Sequence, residues 1–156
     1  MKASLRSLLL RAWRLSLLVL AVIVIQKRQP SGLQSIAVER VRDFFPAAAT
    51  LEAGDGFWTV KDASGIALGQ VMQTAPESDD IIGYSGSTNT LIALDRNRRI
   101  LGLRVLRSGD TTDHLAEVVR HREFFGQFYR KKADELAAMQ PKAVSGATLT
   151  SSAIAE

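Results

Sequence analysis

Four hydroxyl side chains fall within seven consecutive residues near the C-terminus of the chain. The segment reads Ser145-Gly146-Ala147-Thr148-Leu149-Thr150-Ser151, and an apolar run follows it. Small residues allow a backbone to approach a ligand closely, and hydroxyl groups beside a helix start either cap the helix or help its exposed N–H groups to hold an anion. This hydroxyl-rich segment (residues 145–151) therefore predicts a helix start, with a Ser or Thr cap and an anion site as alternative functions.

Two loops earlier in the chain also combine small and polar residues. The first is Gly83-Tyr84-Ser85-Gly86, which precedes a long β-type run ending at Asp95. Its glycines indicate either a close backbone approach or a bulge at a sheet edge. The second is Ser108-Gly109-Asp110-Thr111-Thr112-Asp113. It predicts a helix N-cap at Asp113, followed by a helix whose Leu115, Val118 and Val119 face inward.

The remaining pattern predicts an α+β fold, a small antiparallel sheet with flanking helices. One hairpin joins strands at residues 56–61 and 66–72, and a second joins the run ending at Asp95 to a strand at 100–107. In that last strand, Leu101, Leu103 and Val105 are expected on one face. Trp58 is interpreted as a core residue or a ligand contact. Helical spacing predicts helices at 36–45, 124–129 and 133–139, and residues 143–144 are expected to form a short strand.

Charge and composition exclude several classes of function. Residues 1–30 carry six basic and no acidic side chains, whereas the rest carries 14 basic and 16 acidic ones. The folded part therefore has no basic excess for binding nucleic acid. The chain has no cysteine, which excludes disulfides and iron–sulfur ligation within it, and its two histidines do not suggest a metal site.

The N-terminal segment predicts one transmembrane helix. Residues 15–25 are apolar except for Ser16, and residues 8–13 extend the run toward the length that a bilayer requires. The sequence after it, Gln26-Lys27-Arg28, is a poor cleavage site, and the flanking arginines disfavour a buried core helix. An uncleaved signal anchor fits best. Four basic residues precede the run and two follow it, so we expect a cytoplasmic N-terminus and an extracytoplasmic, periplasmic domain.

The hydroxyl-rich segment also resembles a known motif. Ser145-Gly146-Ala147-Thr148, followed by Thr150-Ser151, is similar to the SGAT motif of the FMN-binding domain family. That family includes the Rnf G subunit, the C subunit of the Na+-translocating NADH:quinone reductase and the periplasmic domain of NosR/NirI-type membrane proteins. The order of strand pair, Gly-Tyr-x-Gly loop, strand pair, polar loop, helices and SGAT also resembles the family, over residues 50–156.

The resemblance implies a covalent flavin, and the sequence shows no constellation of catalytic acid, base or nucleophile otherwise and no metal-binding set. In the family, a flavin transferase esterifies the motif's threonine, here Thr148, to the phosphate of FMN. The rest of the segment would shape the phosphate turn, and the two upstream loops would approach the flavin, where His114 is either a flavin contact or a solvated residue. The candidate FMN-binding residues are Thr148, Ser145, Gly146, Ala147, Leu149, Thr150, Ser151, Gly83, Tyr84, Ser85, Gly86, Thr111 and Thr112.

Three features depart from relatives in that family. Lys142 stands three residues before Ser145, where the family usually has an aspartate that the transferase uses. Residues 110–114 replace the Glu-Thr-Pro-Gly-Leu-Gly loop of the reductase and Rnf subunits, which favours the NosR-like branch. NosR-like proteins continue into membrane helices and iron–sulfur clusters, so the resemblance implies a domain truncated at its C-terminus, as a fragment, a truncated gene product or a stand-alone carrier.

The sequence thus predicts a signal anchor at residues 1–30, a connecting helix at 31–49 and an FMN-binding domain at 50–156. We expect an electron-transfer component of the inner membrane rather than a stand-alone enzyme. Its expected partners are a flavin transferase and membrane electron-transfer proteins, including iron–sulfur proteins. The alternative is a domain of the same fold without flavin, acting as a sensor, scaffold or binding module.

Overall fold

The computed structural model describes residues 36–156 as an antiparallel sheet with helices on one face. The predicted membrane helix lies outside the described residues. Within residues 36–156, no helix is long and apolar enough to cross a membrane. The elements are a 3₁₀ helix at Val38–Val41, strands β1 (Thr50–Ala53), β2 (Trp58–Lys61), β3 (Ala67–Gln73), β4 (Thr88–Asp95) and β5 (Ile100–Ser108), and helices α1 (Thr112–Arg120), α2 (Arg122–Gly126), α3 (Ala133–Ala137) and α4 (Thr148–Ala155).

The five strands follow one another in chain order, β1-β2-β3-β4-β5, and every neighbouring pair is antiparallel. The predicted α+β class and both predicted hairpins are confirmed. Strand β1 was not predicted, because its four residues are mostly exposed and lack alternation of apolar and polar side chains. The run from residue 81 becomes a strand only at Thr88, and Ile82 forms an isolated bridge with Ser87.

The sheet separates two apolar clusters, and strand β4 contributes to both. Leu91 and Ala93 belong to the first cluster, together with Val41 and Phe45, which precede the sheet in the chain. Ile92 and Leu94 face the second cluster, which contains buried residues of the helices and of the segment before α4. Because both faces of β4 are covered here, residues 91–94 of the strand form a continuous apolar run rather than an alternating pattern.

The 3₁₀ helix before the sheet, which packs on the first face, has four residues and is shorter than the predicted helix at 36–45. The apolar residues of the predicted range nevertheless pack as the spacing predicted, with Val41 and Phe45 buried. Trp58 is also buried in this cluster, which confirms the interpretation as a core residue. The hydroxyl-rich segment lies on the opposite face, because Val144, Ala147 and Ile154 pack in the second cluster.

Strand β5 departs from simple alternation. A register shift occurs where Ala93 pairs with Gly102 but Leu94 pairs with Ile100. The residue between, Leu101, packs against the first cluster, whereas Leu103 packs against the second. The prediction that Leu101 and Leu103 share a face was therefore wrong, because one extra residue in a strand reverses the faces of the residues beside it.

The helices on the second face were predicted in position but not in every detail. Phe124 and Phe128 are buried as expected, and α3 falls within the predicted range 133–139. Helix α1 begins at Thr112 with Thr111 as its N-cap, so the predicted cap at Asp113 was wrong. Val119 is 51% exposed rather than inward-facing. Residues 143–144 form no strand, although Val144 is buried.

Candidate functional site

The hydroxyl-rich segment folds as a tight turn followed by α4. Gly146 has a φ of 84°, which glycine adopts without the steric cost that a side chain would bring. The N–H of Ala147 donates to the carbonyl of Val144 at 3.1 Å and closes the turn. Helix α4 then begins at Thr148 with Ala147 as its N-cap. The expectation of a Ser or Thr cap was wrong, because α4 has no side-chain cap.

Two of the four hydroxyls are buried and hold the turn together. Ser151 is fully buried; its Oγ accepts a hydrogen bond from the Val144 N–H at 2.9 Å and donates to the Thr148 carbonyl at 3.1 Å. Thr150 is 1% exposed, and its Oγ1 donates to Oδ2 of Asp110 at 2.5 Å. The small side chain of Ala147 is also buried. These residues therefore have structural roles in the motif.

The other members of the segment face solvent. Ser145, Gly146, Thr148 and Leu149 are exposed. The Thr148 hydroxyl makes one long contact, 3.4 Å from its Oγ1 to the Val144 carbonyl. The first backbone hydrogen bond that closes a turn of α4 runs from the Ser151 N–H to the Ala147 carbonyl. The N–H groups of the three residues before Ser151 consequently have no acceptor within the helix. The exposed hydroxyl of Thr148 thus lies beside N–H groups that favour an anion.

Asp110 joins three distant parts of the chain. Its Oδ2 accepts hydrogen bonds from the Thr150 hydroxyl and, at 3.0 Å, from the Tyr84 N–H. Its Oδ1 accepts from the Ser85 N–H at 2.9 Å and from the N–H of Thr111 at 2.9 Å. The two upstream loops and α4 therefore meet at one carboxylate.

These hydrogen bonds set the charge state of Asp110. Partial burial raises the pKa of its carboxyl, but the Thr150 hydroxyl and the N–H groups of Tyr84, Thr111 and Ser85 outweigh burial and lower the pKa to about 2. Donors that bond the ionised form stabilise it relative to the neutral acid. Asp110 is consequently a carboxylate at neutral pH, and its charge is directed at donors within the protein.

Glycines allow the turn at residues 83–86 to lie against this carboxylate. The Gly83 N–H donates to the Gly86 carbonyl at 3.0 Å and closes the turn. A Cβ on Gly83 would lie 2.4 Å from Oδ2 of Asp110 and 3.2 Å from the Cα of Thr150. A Cβ on Gly86 would lie 2.5 Å from the backbone of Gly109. Close approach therefore explains both glycines better than a bulge at a sheet edge.

A family model described as the FMN-binding domain matches residues 83–156. This part of the chain belongs to the FMN-binding domain family. The match begins at the first glycine of the turn and includes Asp110 and the whole hydroxyl-rich segment. It supports FMN as the cofactor. No curated protein matches the chain.

In this FMN-binding domain, an aromatic pair of exposed Tyr84 and half-buried His114 lies beside the Asp110 cluster. The Tyr84 side chain is 57% exposed, and its ring centroid lies 4.2 Å from that of His114, with 48° between the ring planes. The His114 Nδ1 lies 2.5 Å from the Thr111 Oγ1, which fixes the imidazole at the start of α1. Thr112 is exposed as the first residue of α1, and its side chain makes no hydrogen bond with the cluster within residues 36–156.

The residues of the domain fit FMN. The flavin phosphate is an anion, and the start of α4 offers it unpaired N–H groups and the exposed hydroxyl of Thr148. The flavin ring is a flat aromatic system, and the exposed Tyr84 ring, in contact with the half-buried His114 ring, offers aromatic surface beside the Asp110 cluster. Gly146 leaves open space where a side chain would project, since no atom lies within 4 Å of a Cβ built on it.

Sequence reasoning did not select Asp110 as a site residue. The candidates in its loop were Thr111 and Thr112, whereas the residue that contacts both other parts of the site is Asp110 itself. Its partners lie 26 and 40 residues away in the sequence, so only the folded chain brings them together. The available signal was an acidic residue between Gly109 and two threonines, a pattern that equally predicts a solvated turn.

Replacing Asp110 by Asn tests the role of this carboxylate in stability. Asn turns an amide NH₂ group toward N–H and hydroxyl donors, so we expect the free energy of unfolding at pH 7 to fall by about 1–2 kcal/mol, after allowance for partial solvent exposure. Because the folded-state pKa is below the usual 3.8, the contribution of Asp110 is present above about pH 4 and is lost as the pH falls toward about 2.

Urea denaturation of the wild-type protein and the Asp110→Asn variant between pH 7 and pH 2 measures this difference. The gap between the two proteins should shrink as the pH falls below 4. Asp113→Asn, three residues away at an exposed position of α1, serves as the matched control and should change stability by less than about 0.5 kcal/mol. A gap that is constant across this pH range would contradict the account.

Proposed function

We propose that the protein is a membrane-anchored, extracytoplasmic flavoprotein that carries FMN as a phosphoester on Thr148 and relays electrons to and from membrane partners. The observation that carries the proposal is that the hydroxyl groups of the motif differ in their exposure to solvent. Thr150 and Ser151 are buried and hydrogen-bonded, whereas Thr148 is exposed at the start of α4. A modifying enzyme can reach the Thr148 oxygen without unfolding α4.

The surroundings of Thr148 suit a phosphate in both charge and shape. The unpaired N–H groups of the first turn lie at the positive end of the helix dipole, which favours a negative group there. The carboxylate of Asp110 accepts a hydrogen bond from the Thr150 hydroxyl, and it also accepts from the N–H groups of Tyr84, Ser85 and Thr111 and from the Ser85 hydroxyl. Its charge is thus compensated before a phosphate is added.

The chain itself supplies position rather than acid–base chemistry. The Ser151 hydrogen bonds fix the turn before α4, and the Asp110–Thr150 hydrogen bond fixes the distance between α4 and the turn that carries Tyr84. The exposed Tyr84 ring, supported by the half-buried His114 ring, provides a surface on which a flat ring can pack. FMN, when bound, supplies one-electron and two-electron redox chemistry that the side chains lack.

The membrane assignment comes from the sequence. The apolar run at residues 15–25, with six basic residues within the first 30, is typical of a signal anchor with a cytoplasmic N-terminus. That orientation puts the FMN-binding domain on the extracytoplasmic, periplasmic side of the inner membrane. The partners that we propose are a flavin transferase, which forms the phosphoester, and membrane electron-transfer proteins, among them iron–sulfur proteins.

A second candidate function is a domain of this fold that carries no flavin and acts as a sensor or scaffold. The observation that favours it is Lys142, where the resemblance predicts an aspartate for the transferase. Lys142 has an exposed side chain, and its conformation depends on backbone contacts: Gln127 accepts from its N–H at 2.7 Å and donates to its carbonyl at 3.1 Å. Its side chain can therefore be exchanged without disturbing the turn.

Thr148→Ala tests the attachment site. Wild-type protein and variant are co-expressed with a flavin transferase, separated by denaturing electrophoresis and examined for flavin fluorescence. We expect fluorescence in the wild type and none in Thr148→Ala, because the variant lacks the oxygen that forms the phosphoester. Stability should change by less than about 0.5 kcal/mol, since the Thr148 hydroxyl is exposed and makes one long contact.

Ser152→Ala is the matched control, because Ser152 is also exposed on α4 but lies one turn further along the helix. It should remain as fluorescent as the wild type. Equal fluorescence of wild type and Thr148→Ala would remove Thr148 as the attachment site. No fluorescence in any of the three proteins would favour the sensor or scaffold.

Lys142→Asp tests whether the residue before the motif limits loading. We expect Lys142→Asp to carry more covalent flavin than the wild type when the transferase is limiting, because it restores the residue that the enzyme is expected to use. Lys142→Glu makes the same change of charge with a longer side chain and distinguishes charge from shape. Equal loading of the wild type and both variants would show that this position does not govern flavinylation.

A further inference from the structure

Two basic segments that are far apart in the sequence meet beside the turn between β4 and β5. The turn at residues 96–99 carries three arginines, and residues 130–132, which lead into α3, are Arg-Lys-Lys. The Arg130 N–H donates to the Ile100 carbonyl at 2.8 Å, and the Ile100 N–H donates to the Lys131 carbonyl at 3.0 Å. These hydrogen bonds join the two segments into one basic surface, whose basic residues are Arg96, Arg98, Arg99, Arg130, Lys131 and Lys132.

The basic surface concentrates a positive charge that the rest of the domain lacks. Its two segments and their flanking residues contain six basic side chains and three acidic ones, which are Asp95, Asp134 and Glu135. The other residues of 36–156 contain eight basic and 13 acidic side chains. The formal charge is therefore +3 at the basic surface and −5 over the remainder, so the charge of the domain is strongly asymmetric.

Two of these acids bond within the basic surface and leave most of its cations unpaired. Oδ1 of Asp95 accepts from the N–H groups of Asn97 and Arg99 at 2.7 and 2.9 Å. Oε2 of Glu135 accepts from the Lys132 N–H at 2.6 Å and lies 3.6 Å from Nη1 of Arg99. Within residues 36–156, the other five basic side chains of this surface form no ion pair. Their charges are therefore available to a partner.

Two arginines of the basic surface occupy backbone positions that suit other residues better. Arg98 and Arg130 have φ values of 58° and 62°, and they are the two non-glycine residues with positive φ within residues 36–156. Glycine and asparagine adopt this left-handed conformation at lower steric cost. Both arginine side chains are exposed, so they add charge to the surface rather than packing to the core.

The basic surface lies at the opposite end of the β4–β5 hairpin from the Asp110 cluster. The turn at residues 83–86 precedes β4 and Asp110 follows β5, whereas the basic surface adjoins the connection between the two strands. At about 3.3 Å per residue, the eight residues of β4 separate the two regions by about 25 Å. This separation disfavours a redox protein centred on the basic surface, because its cofactor would lie far from the flavin site.

We propose that the basic surface binds the anionic headgroups of a phospholipid bilayer and orients the domain with the Asp110 cluster away from the lipid. Clustered arginine and lysine side chains are attracted to an anionic membrane, and each adds to the attraction. Tyr129, which is 53% exposed and precedes Arg130, adds an aromatic side chain of the kind enriched at membrane interfaces. The acidic remainder of the domain is repelled by the same headgroups, which favours this orientation.

The inference goes beyond the proposed function and uses neither the flavin nor the apolar run at residues 15–25. Phosphatidylcholine carries no net charge, so retention on nanodiscs of this lipid alone reports the proposed anchor. A gain in contact when an anionic lipid is added reports the basic surface. The two proposals can therefore fail independently.

Fluorescence quenching by nitroxide-headgroup lipids tests the proposal on the full-length protein with nanodiscs. The chain has no cysteine, so Asn97→Cys, in the turn of the basic surface, takes a single fluorophore. Asp79→Cys, in the exposed loop before β4, reports the other end of that strand. With about 30% phosphatidylglycerol, we expect the label at position 97 to be quenched at least about 3-fold more than on phosphatidylcholine, and more than the label at position 79. Sodium chloride at about 0.5 M should remove this gain, because salt screens exposed charges.

Arg98→Gln/Arg130→Gln removes two charges from the basic surface and should lower the gain in quenching of the label at position 97 at least about 3-fold. Arg42→Gln/Arg107→Gln is the matched control, because it removes the same charge from exposed positions outside the basic surface, and it should preserve the gain. An equal loss in the two double variants would overturn the proposal. Equal quenching on the two kinds of nanodisc would also overturn it, and would make an acidic protein the better partner.

Discussion

One carboxylate holds the site together. Asp110 follows the last strand of the sheet and accepts hydrogen bonds from the loop at residues 83–86, from the start of α1 and from Thr150 inside α4. Each of these elements is short or irregular. Since all three donate to the same ionised group, they are fixed relative to one another, and charge-assisted hydrogen bonds of this kind are stronger than neutral ones. This contact is sterically possible because residues 83 and 86 are glycines, whose missing Cβ atoms would clash with Asp110 and Gly109.

The same interaction explains how a motif with four hydroxyls presents one of them. Thr150 donates to Asp110 and Ser151 ties the turn to α4, so both are withdrawn from solvent. Thr148 lies on the exposed side of the same helical turn, beside N–H groups that have no acceptor in α4. Residues 83–156 belong to the FMN-binding domain family, which supports FMN as the cofactor of this arrangement. The sheet positions this site, because β4 is buried on both faces and β5 leads directly into the loop that contains Asp110.

Local patterns predicted much of this fold, and tertiary contacts decided the rest. Both hairpins follow from turns between β-type runs, and the helix after residue 147 follows from small residues leading into an apolar run. The face of Leu101 could not be predicted, because the register shift that moves it depends on pairing with β4. Strand β1 carries no alternation, and the Asp110 contacts join residues up to 40 positions apart. The resemblance of the motif identified the cofactor, but only the fold distinguishes the buried Thr150 from the exposed Thr148.

The most direct measurement is the location of flavin on the polypeptide. Cleavage after Lys142 releases residues 143–156, which contain all four hydroxyls of the motif and Ser152. Fragmentation of this peptide by tandem mass spectrometry, after co-expression with a flavin transferase, assigns the phosphoester to a single residue. The account predicts FMN on Thr148 alone. Flavin on Thr150 or Ser151 would contradict it, because those oxygens are buried and engaged in the hydrogen bonds that fix α4.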